Sequence, residues 1–147
     1  MKLVLVVEDE YGHAEILQLV LEGNGYRVAA AANGNVALEL LAGEKPALIL
    51  SDFTMPHCNG AELGNAVRNA PALREIPFVF MSGTSEDVVR RLFNDYDAFL
   101  PKPFDTDRLI EVVERLIAAG RPVAARDPEV DESMRQLVKG IKLPPTE

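Results

Sequence analysis

The chain has 147 residues, of which 48% are apolar and 26% charged, and its formal net charge is −8. This size and composition fit one globular domain with its own core, and the negative charge argues against direct nucleic-acid binding. Cys58 is the only cysteine, which excludes an intrachain disulfide and favours a reducing, cytoplasmic setting.

Short apolar runs alternate along the chain with segments of helical periodicity. The first run is too short for a signal-peptide core or a membrane span, so we expect no membrane partner. Five runs predict strands: Leu3–Val7, Arg27–Ala31, Ala47–Leu50, Phe78–Met81 and Ala98–Leu100. The intervening segments predict helices, with Asn33 and Asp105 as amino-terminal caps of the second and fifth, and Gly43 ending the second.

This alternation predicts an α/β fold, a doubly wound (βα)₅ unit with five parallel strands and helices on both faces. The pattern breaks after Gly120, so we expect a domain over residues 1–120 and an extension over 121–147. Within the extension, Asp127-Pro128-Glu129 is typical of a helix start, and apolar residues follow at helical spacing. We therefore predict a short extra C-terminal helix at about 128–139.

Carboxylates follow two of the predicted strands. Glu8 and Asp9 follow the first strand and Asp52 the third, at the sheet edge where doubly wound folds bind ligands. Like charges about 4 Å apart repel by about 4 kcal/mol at an effective dielectric near 20, so the cluster must be protonated, be paired or bind a cation. Oxygen ligands without a Cys or His cluster favour Mg²⁺ over zinc, with Mn²⁺ as an alternative.

The fourth and fifth strands add groups suited to a phosphoryl ligand. Ser82 and Gly83 follow the fourth strand, and Lys102 follows the fifth. A carboxylate could act as the nucleophile and Ser82 could supply a hydroxyl, while a bound Mg²⁺ and the Lys102 ammonium would supply positive charge. These are the groups that phosphoryl transfer uses. Singly, each residue could be a solvated group at a strand end, but their combination argues for a site.

Four motifs together resemble the response-regulator receiver family. They are VVEDE, SDFTMPHCNG, FMSGTS and AFLPKPF, and the resemblance covers residues 2 to about 119. It implies a flavodoxin-like sheet of order 2-1-3-4-5. It also implies a role for each site residue: Asp52 as phosphoacceptor, Asp9 as direct Mg²⁺ ligand, Glu8 as ligand directly or through water, the Thr54 carbonyl as a further ligand, Ser82 as switch hydroxyl, Phe99 as switch aromatic, Lys102 as phosphate-binding lysine, and Lys102–Pro103 as a cis peptide bond.

The chain departs from the family pattern at two places. Glu8 stands where Asp is common, which keeps the negative charge but places it on a longer side chain. The stretch from Ser82 to Lys102 is shorter than in many receivers, and Asn94-Asp95-Tyr96-Asp97 replaces the usual Gly-Ala pair. That region often contacts partners, so analogy is a weak guide to them.

Several other residues are interpreted as structural. We expect His13 and His57 to be surface residues without a metal role, and Cys58 to lack the general base that a nucleophile needs. The sequence has no dinucleotide-binding or P-loop motif. The apolar residues of the fourth helix, Val88, Val89, Leu92 and Phe93, are predicted to be mainly core.

The resemblance implies a single-domain response regulator, phosphorylated by a histidine kinase or histidine phosphotransfer protein and acting on a downstream protein target. We expect a switch rather than a turnover enzyme, and a monomer or weak homodimer. An alternative is a phosphorelay intermediate that passes the group to another histidine. Less favoured are an aspartyl-phosphate phosphatase, which needs a second acid where this chain has Thr54, and a receiver that takes no phosphate.

Overall fold

A computed structural model describes residues 1–55 and 58–121. Strands and helices alternate in chain order: β1 Leu3–Val7, α1 Tyr11–Gly23, β2 Arg27–Ala31, α2 Gly34–Gly43, β3 Leu48–Asp52, α3 Gly60–Asn69, β4 Phe78–Ser82, α4 Glu86–Leu92, β5 Ala98–Pro101 and α5 Thr106–Ala119. The predicted helix at about 128–139 lies outside the described residues, and the 1–120 domain boundary stays a prediction.

All strand pairs are parallel, and the sheet order is β2-β1-β3-β4-β5. The doubly wound fold and its strand order are therefore confirmed. Helices α1 and α5 cover one face, where Leu21 and Val113 are fully buried, and α2, α3 and α4 cover the other, where Leu63 and Val89 are fully buried. Strands β1, β3 and β4 lie inside the sheet, which explains their nearly continuous apolar sequence.

The predicted helix caps are present. The Asn33 side chain accepts a hydrogen bond from the Val36 backbone N–H at 3.0 Å, and the Asp105 side chain accepts one from Arg108 at 2.8 Å. Gly43 is the last residue of α2. These caps fix the starts of two helices that flank the sheet.

Strands β3 and β4 extend beyond the apolar runs that predicted them. Asp52 and Ser82 were expected just after their strands, but each is the last strand residue. Parallel pairing, such as that of Asp52 with Met81, depends on the backbone and continues through polar residues. Both side chains therefore start from rigid backbone.

Helix α4 has seven residues and is the shortest helix in the described part of the chain. Val89 and Phe93 are buried as expected, but Val88 is 40% and Leu92 59% exposed. The prediction of a mainly buried apolar set was therefore wrong for half its members. A helix of two turns packs only the side chains of one face against the sheet, and its other side chains remain exposed to solvent.

The unusual segment before β5 is held by buried ion pairs, here called the Asp97 network (Arg68, Asp97 and Arg121). Asp97 accepts hydrogen bonds from Arg68 and from Arg121, each at 3.0 Å. It also accepts one from the Phe78 backbone N–H at 2.8 Å, so it lies at the amino end of β4. Arg121 additionally donates to Asp95. The network ties α3, β4, β5 and the end of α5 together, opposite the strand ends that carry the carboxylates.

Across residues 1–55 and 58–121, no helix is both long and apolar enough to cross a bilayer.

Candidate functional site

The carboxyl ends of β1 and β3 bring three acidic side chains together. Glu8 and Asp9 directly follow β1, and Asp52 ends the neighbouring strand β3. One carboxylate oxygen from each residue lies within 4.8 Å of the others. The predicted clustering of these residues is therefore confirmed.

Glu8 is the more strongly paired of the two buried acids. Its side chain is 1% exposed and accepts hydrogen bonds from Lys102 Nζ at 2.8 Å and from the Glu10 backbone N–H at 3.3 Å. Burial raises the pKa of Glu8, but the hydrogen bond and charge of Lys102 outweigh it, so that this pKa lies below its ordinary value. Glu8 is therefore ionised at neutral pH.

Asp52 holds its charge less easily. Its side chain is 11% exposed, and Lys102 Nζ lies 3.5 Å from Oδ2, beyond ordinary hydrogen-bond distance. Burial and the negative charge of Glu8 raise the pKa of Asp52 to about 6, although Lys102 opposes them. Without a further cation, the site therefore carries more negative charge than its single ammonium balances.

Lys102 bridges the two acids from the end of β5. Burial lowers the pKa of Lys102, but the Glu8 hydrogen bond and the charges of Asp52 and Glu8 raise it above its ordinary value overall. The ammonium is therefore charged at neutral pH. The Lys102–Pro103 peptide bond is cis, as the resemblance implied.

The acidic cluster fits a hard divalent cation. Glu8, Asp9 and Asp52 offer only oxygen ligands, and the exposed carboxylate of Asp9 leaves the cluster open to solvent. Thr54 lies in the exposed loop two residues after Asp52, and its carbonyl as a further ligand stays a prediction. Mn²⁺ as an alternative to Mg²⁺ also stays a prediction.

Ser82 lies at the end of the adjacent strand β4. Ser82 is 1% exposed, and its Oγ accepts a hydrogen bond from the Thr84 backbone N–H at 2.9 Å. Gly83 follows in the open, because a Cβ added there would meet no atom within 4 Å. The Ser82 hydroxyl is therefore positioned by the backbone of the loop that follows it, and the space next to the Gly83 Cα is unoccupied by protein atoms.

Phe99 lies on β5 beside Phe80 in the strand register. The ring of Phe99 is half-buried, in contact with Tyr96 at a centroid distance of 6.3 Å. Phe80 and Ser82 are two residues apart on β4, so they face the same side of the sheet. Ser82 and Phe99 thus lie on adjacent strands next to the same helix layer.

Gly60 lets the loop after Asp52 fold closely back on β3. Its N–H donates to the Phe53 carbonyl at 2.9 Å. A Cβ at Gly60 would lie 2.8 Å from Phe53 Cα and 3.0 Å from the Asp52 carbonyl oxygen, closer than side-chain carbons normally approach. A glycine here lets the start of α3 lie close to the backbone at the end of β3.

His13 lies nearer the cluster than the sequence indicated. Its Nδ1 is 3.9 Å from Glu8 Oε1 and 3.4 Å from Glu10 Oε2, although its side chain is 59% exposed, as expected for a surface residue. Glu10 caps α1 by accepting from the backbone of Gly12 and His13. The position of His13 in the first turn after Asp9 was the signal that could have located it.

His57 and Cys58 are the other two residues that the sequence analysis assigned no chemical role. His57 lies outside the described residues. Cys58 is buried, and its burial and then the charge of Glu62 raise the pKa of the thiol. A protonated buried thiol is a poor nucleophile, and the absence of a nucleophilic role for Cys58 stays a prediction.

A mostly apolar groove of roughly 350 Å³ opens beside Glu8 and Lys102. It is lined by residues of α1, of the ends of β1 and β4, and of the segment from β5 into α5: Glu8, His13, Ile16, Leu17, Val20, Met81, Lys102, Pro103, Phe104 and Thr106. Ile16 is 56% exposed at this groove. The groove therefore borders the acid cluster on the side of α1.

Comparisons with known proteins agree with this geometry. Residues 4–114 match the family model described as "Response regulator receiver domain". The chain is similar to Response regulator Rre1 of Synechocystis sp., with 36% identity over 118 residues. The match spans 78% of this chain but only 51% of Rre1, so the chain corresponds to about half that protein's length.

Solved structures with the same fold include receiver domains from several bacteria. The signal receiver domain of a signal transduction histidine kinase from Syntrophus aciditrophicus superimposes with a TM-score of 0.76 at 36% identity, over 80% of this chain and 91% of that one. Response regulator TrrA from Thermotoga maritima, in complex with Mg²⁺-BeF, gives 0.69 at 28% identity over 79% and 99% of the two chains.

Proposed function

The chain belongs to the response regulator receiver domain family, and we propose that it is a phosphorylation switch in which Asp52 accepts a phosphoryl group from a protein histidine. The observation that carries the proposal is the arrangement of Asp52 beside Lys102 and within one cluster with Glu8 and Asp9. Receiver domains interact with histidine kinases and downstream targets.

The charges of the site support attack by Asp52 on phosphorus. An Asp52 carboxylate oxygen would form the new P–O bond, while the P–N bond of the donor breaks and its electron pair stays on the imidazole nitrogen. Lys102, already 3.5 Å from Asp52, would pair with a phosphoryl oxygen. The Gly83 region is open enough to admit the transferred group.

The three carboxylates support a divalent cation, which we propose is Mg²⁺. Glu8, Asp9 and Asp52, with the Thr54 carbonyl, would hold it, and its charge would offset that of the phosphoryl oxygens. The Mg²⁺-BeF complex of TrrA, a structure of the same fold, supports this choice. Asp52 would keep its proton less often with the cation bound, because the positive charge stabilises the carboxylate.

Ser82 and Phe99 would convert phosphorylation into a change of surface. A phosphoryl oxygen would accept a hydrogen bond from the Ser82 hydroxyl, drawing Ser82 away from its present contact with Thr84. The loop after β4 would move with it, and Phe99 would turn inward beside Phe80. Phosphorylation would then shift an existing equilibrium between two arrangements.

The test is covalent labelling with acetyl phosphate. Intact-mass spectrometry of the wild type should find one added phosphoryl group with Mg²⁺ present and none with EDTA. Asp52→Asn keeps the size of the side chain but lacks the nucleophilic charge, so it should not be labelled. Asp107→Asn, an exposed acid on α5, is the matched control and should label like the wild type. Full labelling of Asp52→Asn would contradict the proposal.

A second candidate function is a phosphorelay intermediate that passes its group to another histidine. The similarity to a receiver domain from a histidine kinase supports keeping it open. We propose no turnover enzyme, because Thr54 occupies the position where aspartyl-phosphate phosphatases need an acid. Repeated hydrolysis of a generic phosphomonoester would overturn that view, and return of the label from Asp52 to a phosphotransfer protein would favour the relay.

A further inference from the structure

Tyr96 makes a set of contacts that the proposed switch does not use. It lies two residues before β5, in the segment that replaces the usual Gly-Ala pair. Its ring meets Phe80 edge-on, with centroids 5.4 Å apart, and touches the Phe99 ring at 6.3 Å. Tyr96 therefore lies directly against the aromatic ring that is proposed to turn.

The hydroxyl of Tyr96 reaches the first residue of α4. It donates a hydrogen bond to Glu86 Oε2 at 2.5 Å, and the same carboxylate oxygen pairs with Arg90 at 3.3 Å. Burial, and then the hydrogen bond to Glu86, raise the pKa of Tyr96, so the hydroxyl keeps its proton. A hydrogen bond to a charged acceptor is stronger than one between neutral groups.

Helix α4 is anchored to the core by Val89, but its amino end lacks a side-chain cap. It has seven residues, and its N-cap residue, Ser85, makes no side-chain cap hydrogen bond. A helix this short is marginal without tertiary contacts. The hydrogen bond from Tyr96 therefore adds a side-chain contact at the first residue of α4.

Only three residues separate Ser82 from Glu86. A movement of Ser82 and its loop toward a phosphoryl group would carry the start of α4 along. The Tyr96–Glu86 bond, short and directional, would resist that movement. Tyr96 would at the same time restrict Phe99 through direct ring contact.

We propose that the Tyr96–Glu86 hydrogen bond is a latch that holds the unphosphorylated arrangement and must open when the phosphoryl group recruits Ser82. This inference rests on the proposed function. Tyr96 acts here as a positioning residue for Phe99 and α4, since it touches no reacting group. The strength of the latch sets how strongly the switch to the phosphorylated arrangement is opposed. It therefore also sets the fraction of unphosphorylated molecules that adopt this arrangement.

The test compares binding of beryllofluoride, a phosphoryl mimic, with thermal stability. Tyr96→Phe keeps the ring contacts but removes the hydroxyl. In the presence of Mg²⁺ it should bind beryllofluoride about fivefold more tightly by calorimetry, because the bound state no longer requires breaking the latch. Without ligand it should melt at a lower temperature. A merely structural contact would weaken both properties together.

The controls separate the latch from general damage. Tyr26→Phe removes a half-buried hydroxyl far from α4 and should leave beryllofluoride affinity unchanged. Glu86→Ala should repeat the gain of Tyr96→Phe, and the double variant should gain no more than either single variant. Unchanged or weaker binding by Tyr96→Phe, or additive gains in the double variant, would overturn the latch.

Fluorescence adds a direct readout, because the chain has three tyrosines and no tryptophan. A neighbouring carboxylate that accepts a tyrosine hydrogen bond quenches its emission. Beryllofluoride should therefore raise the emission of the wild type but not that of Tyr96→Phe, and no rise in the wild type would count against the latch. Failure of the wild type to bind beryllofluoride at all would instead refute the proposed function.

Discussion

At the scale of single residues, the site is defined by how one ammonium is shared. Lys102 lies 2.8 Å from Glu8 and 3.5 Å from Asp52, so the proposed phosphoacceptor is the less neutralised acid. The sequence predicted which residues would meet. It could not predict this division, because side-chain distances depend on the packing of three separate strand ends.

The raised pKa of Asp52 leads to a pH-dependent stability without metal. A carboxyl with a folded pKa of about 6 and an ordinary value of 3.8 binds its proton more tightly when folded. Its contribution to stability therefore falls as pH rises from about 4 to about 6, and stays low above that range. In EDTA at pH 7.5, Asp52→Asn should melt about 4 °C above the wild type, and the gap should narrow at pH 5.

Calorimetric melting across this pH range measures the effect. Asp107→Asn, on the exposed face of α5, controls for loss of one negative charge and should show no comparable gap. A gap that is absent at pH 7.5, or that widens toward pH 5, would mean that Asp52 is not destabilised by its neighbours.

Metal binding gives a second prediction for a single residue. Millimolar Mg²⁺ should raise the melting temperature of the wild type by about 3 °C, since it binds the folded cluster and not the unfolded chain. Asp9→Ala removes one of the three carboxylates and should abolish the rise. Differential scanning calorimetry with and without Mg²⁺ is the measurement. If the rise in melting temperature persisted in Asp9→Ala and disappeared in Asp107→Ala, Mg²⁺ would have to bind outside the cluster.

At the scale of elements, the pattern of apolar runs located all five described strands and the helices between them. It placed the strand ends too early at Asp52 and Ser82, because hydropathy does not report backbone pairing. It also overestimated the burial of α4, where Leu92 is 59% exposed. A two-turn helix has too few residues for its periodicity to define a buried face.

The loop between β4 and α4 carries the prediction at this scale. Ser82→Ala should still be labelled by acetyl phosphate, because the nucleophile and Lys102 are unchanged. It should bind a phosphorylation-dependent target at least about tenfold more weakly, since the loop is no longer drawn to the phosphoryl group. A pull-down with labelled protein, followed by titration of the recovered target, measures this.

Ser85→Ala is the matched control in the same loop. The Ser85 side chain makes no cap hydrogen bond, so its loss should change neither labelling nor target binding. If phosphorylated Ser82→Ala bound the target as well as the wild type, the switch would have to run through other residues.

At the scale of the whole molecule, the Asp97 network joins parts of the chain that are distant in sequence. The Asp97 side chain is fully buried between the side chains of Arg121, 1% exposed, and Arg68, 8% exposed. Burial and then the nearby Arg121 guanidinium lower the pKa of Arg68 to about 10, which leaves it charged at neutral pH. The sequence indicated only that this segment was unusual, because the partners come from three separate elements.

Asp97→Asn should be strongly destabilising. It keeps the shape of the side chain but removes the buried negative charge that two guanidinium groups share. Because Asp95 also pairs with both groups, the cost should be about 3 kcal/mol, the low end for breaking a buried ion pair. Urea unfolding measures the loss. The exposed pair of Arg27 and Glu44 offers a control: Glu44→Gln should cost far less, because solvent screens an exposed ion pair. Equal losses in the two variants would mean that the Asp97 network contributes no more than a surface pair.

The same network fixes where the described part of the chain ends relative to the proposed phosphorylation site. Arg121 is bound at the amino ends of β4 and β5, whereas Asp52 and Ser82 end their strands at the other edge, about 13 Å away along β4. The end of the described chain and the proposed phosphorylation site thus lie at opposite ends of the sheet. Arg121 is too distant to touch a phosphoryl group on Asp52, so any effect of phosphorylation on Arg121 has to pass through the elements between them.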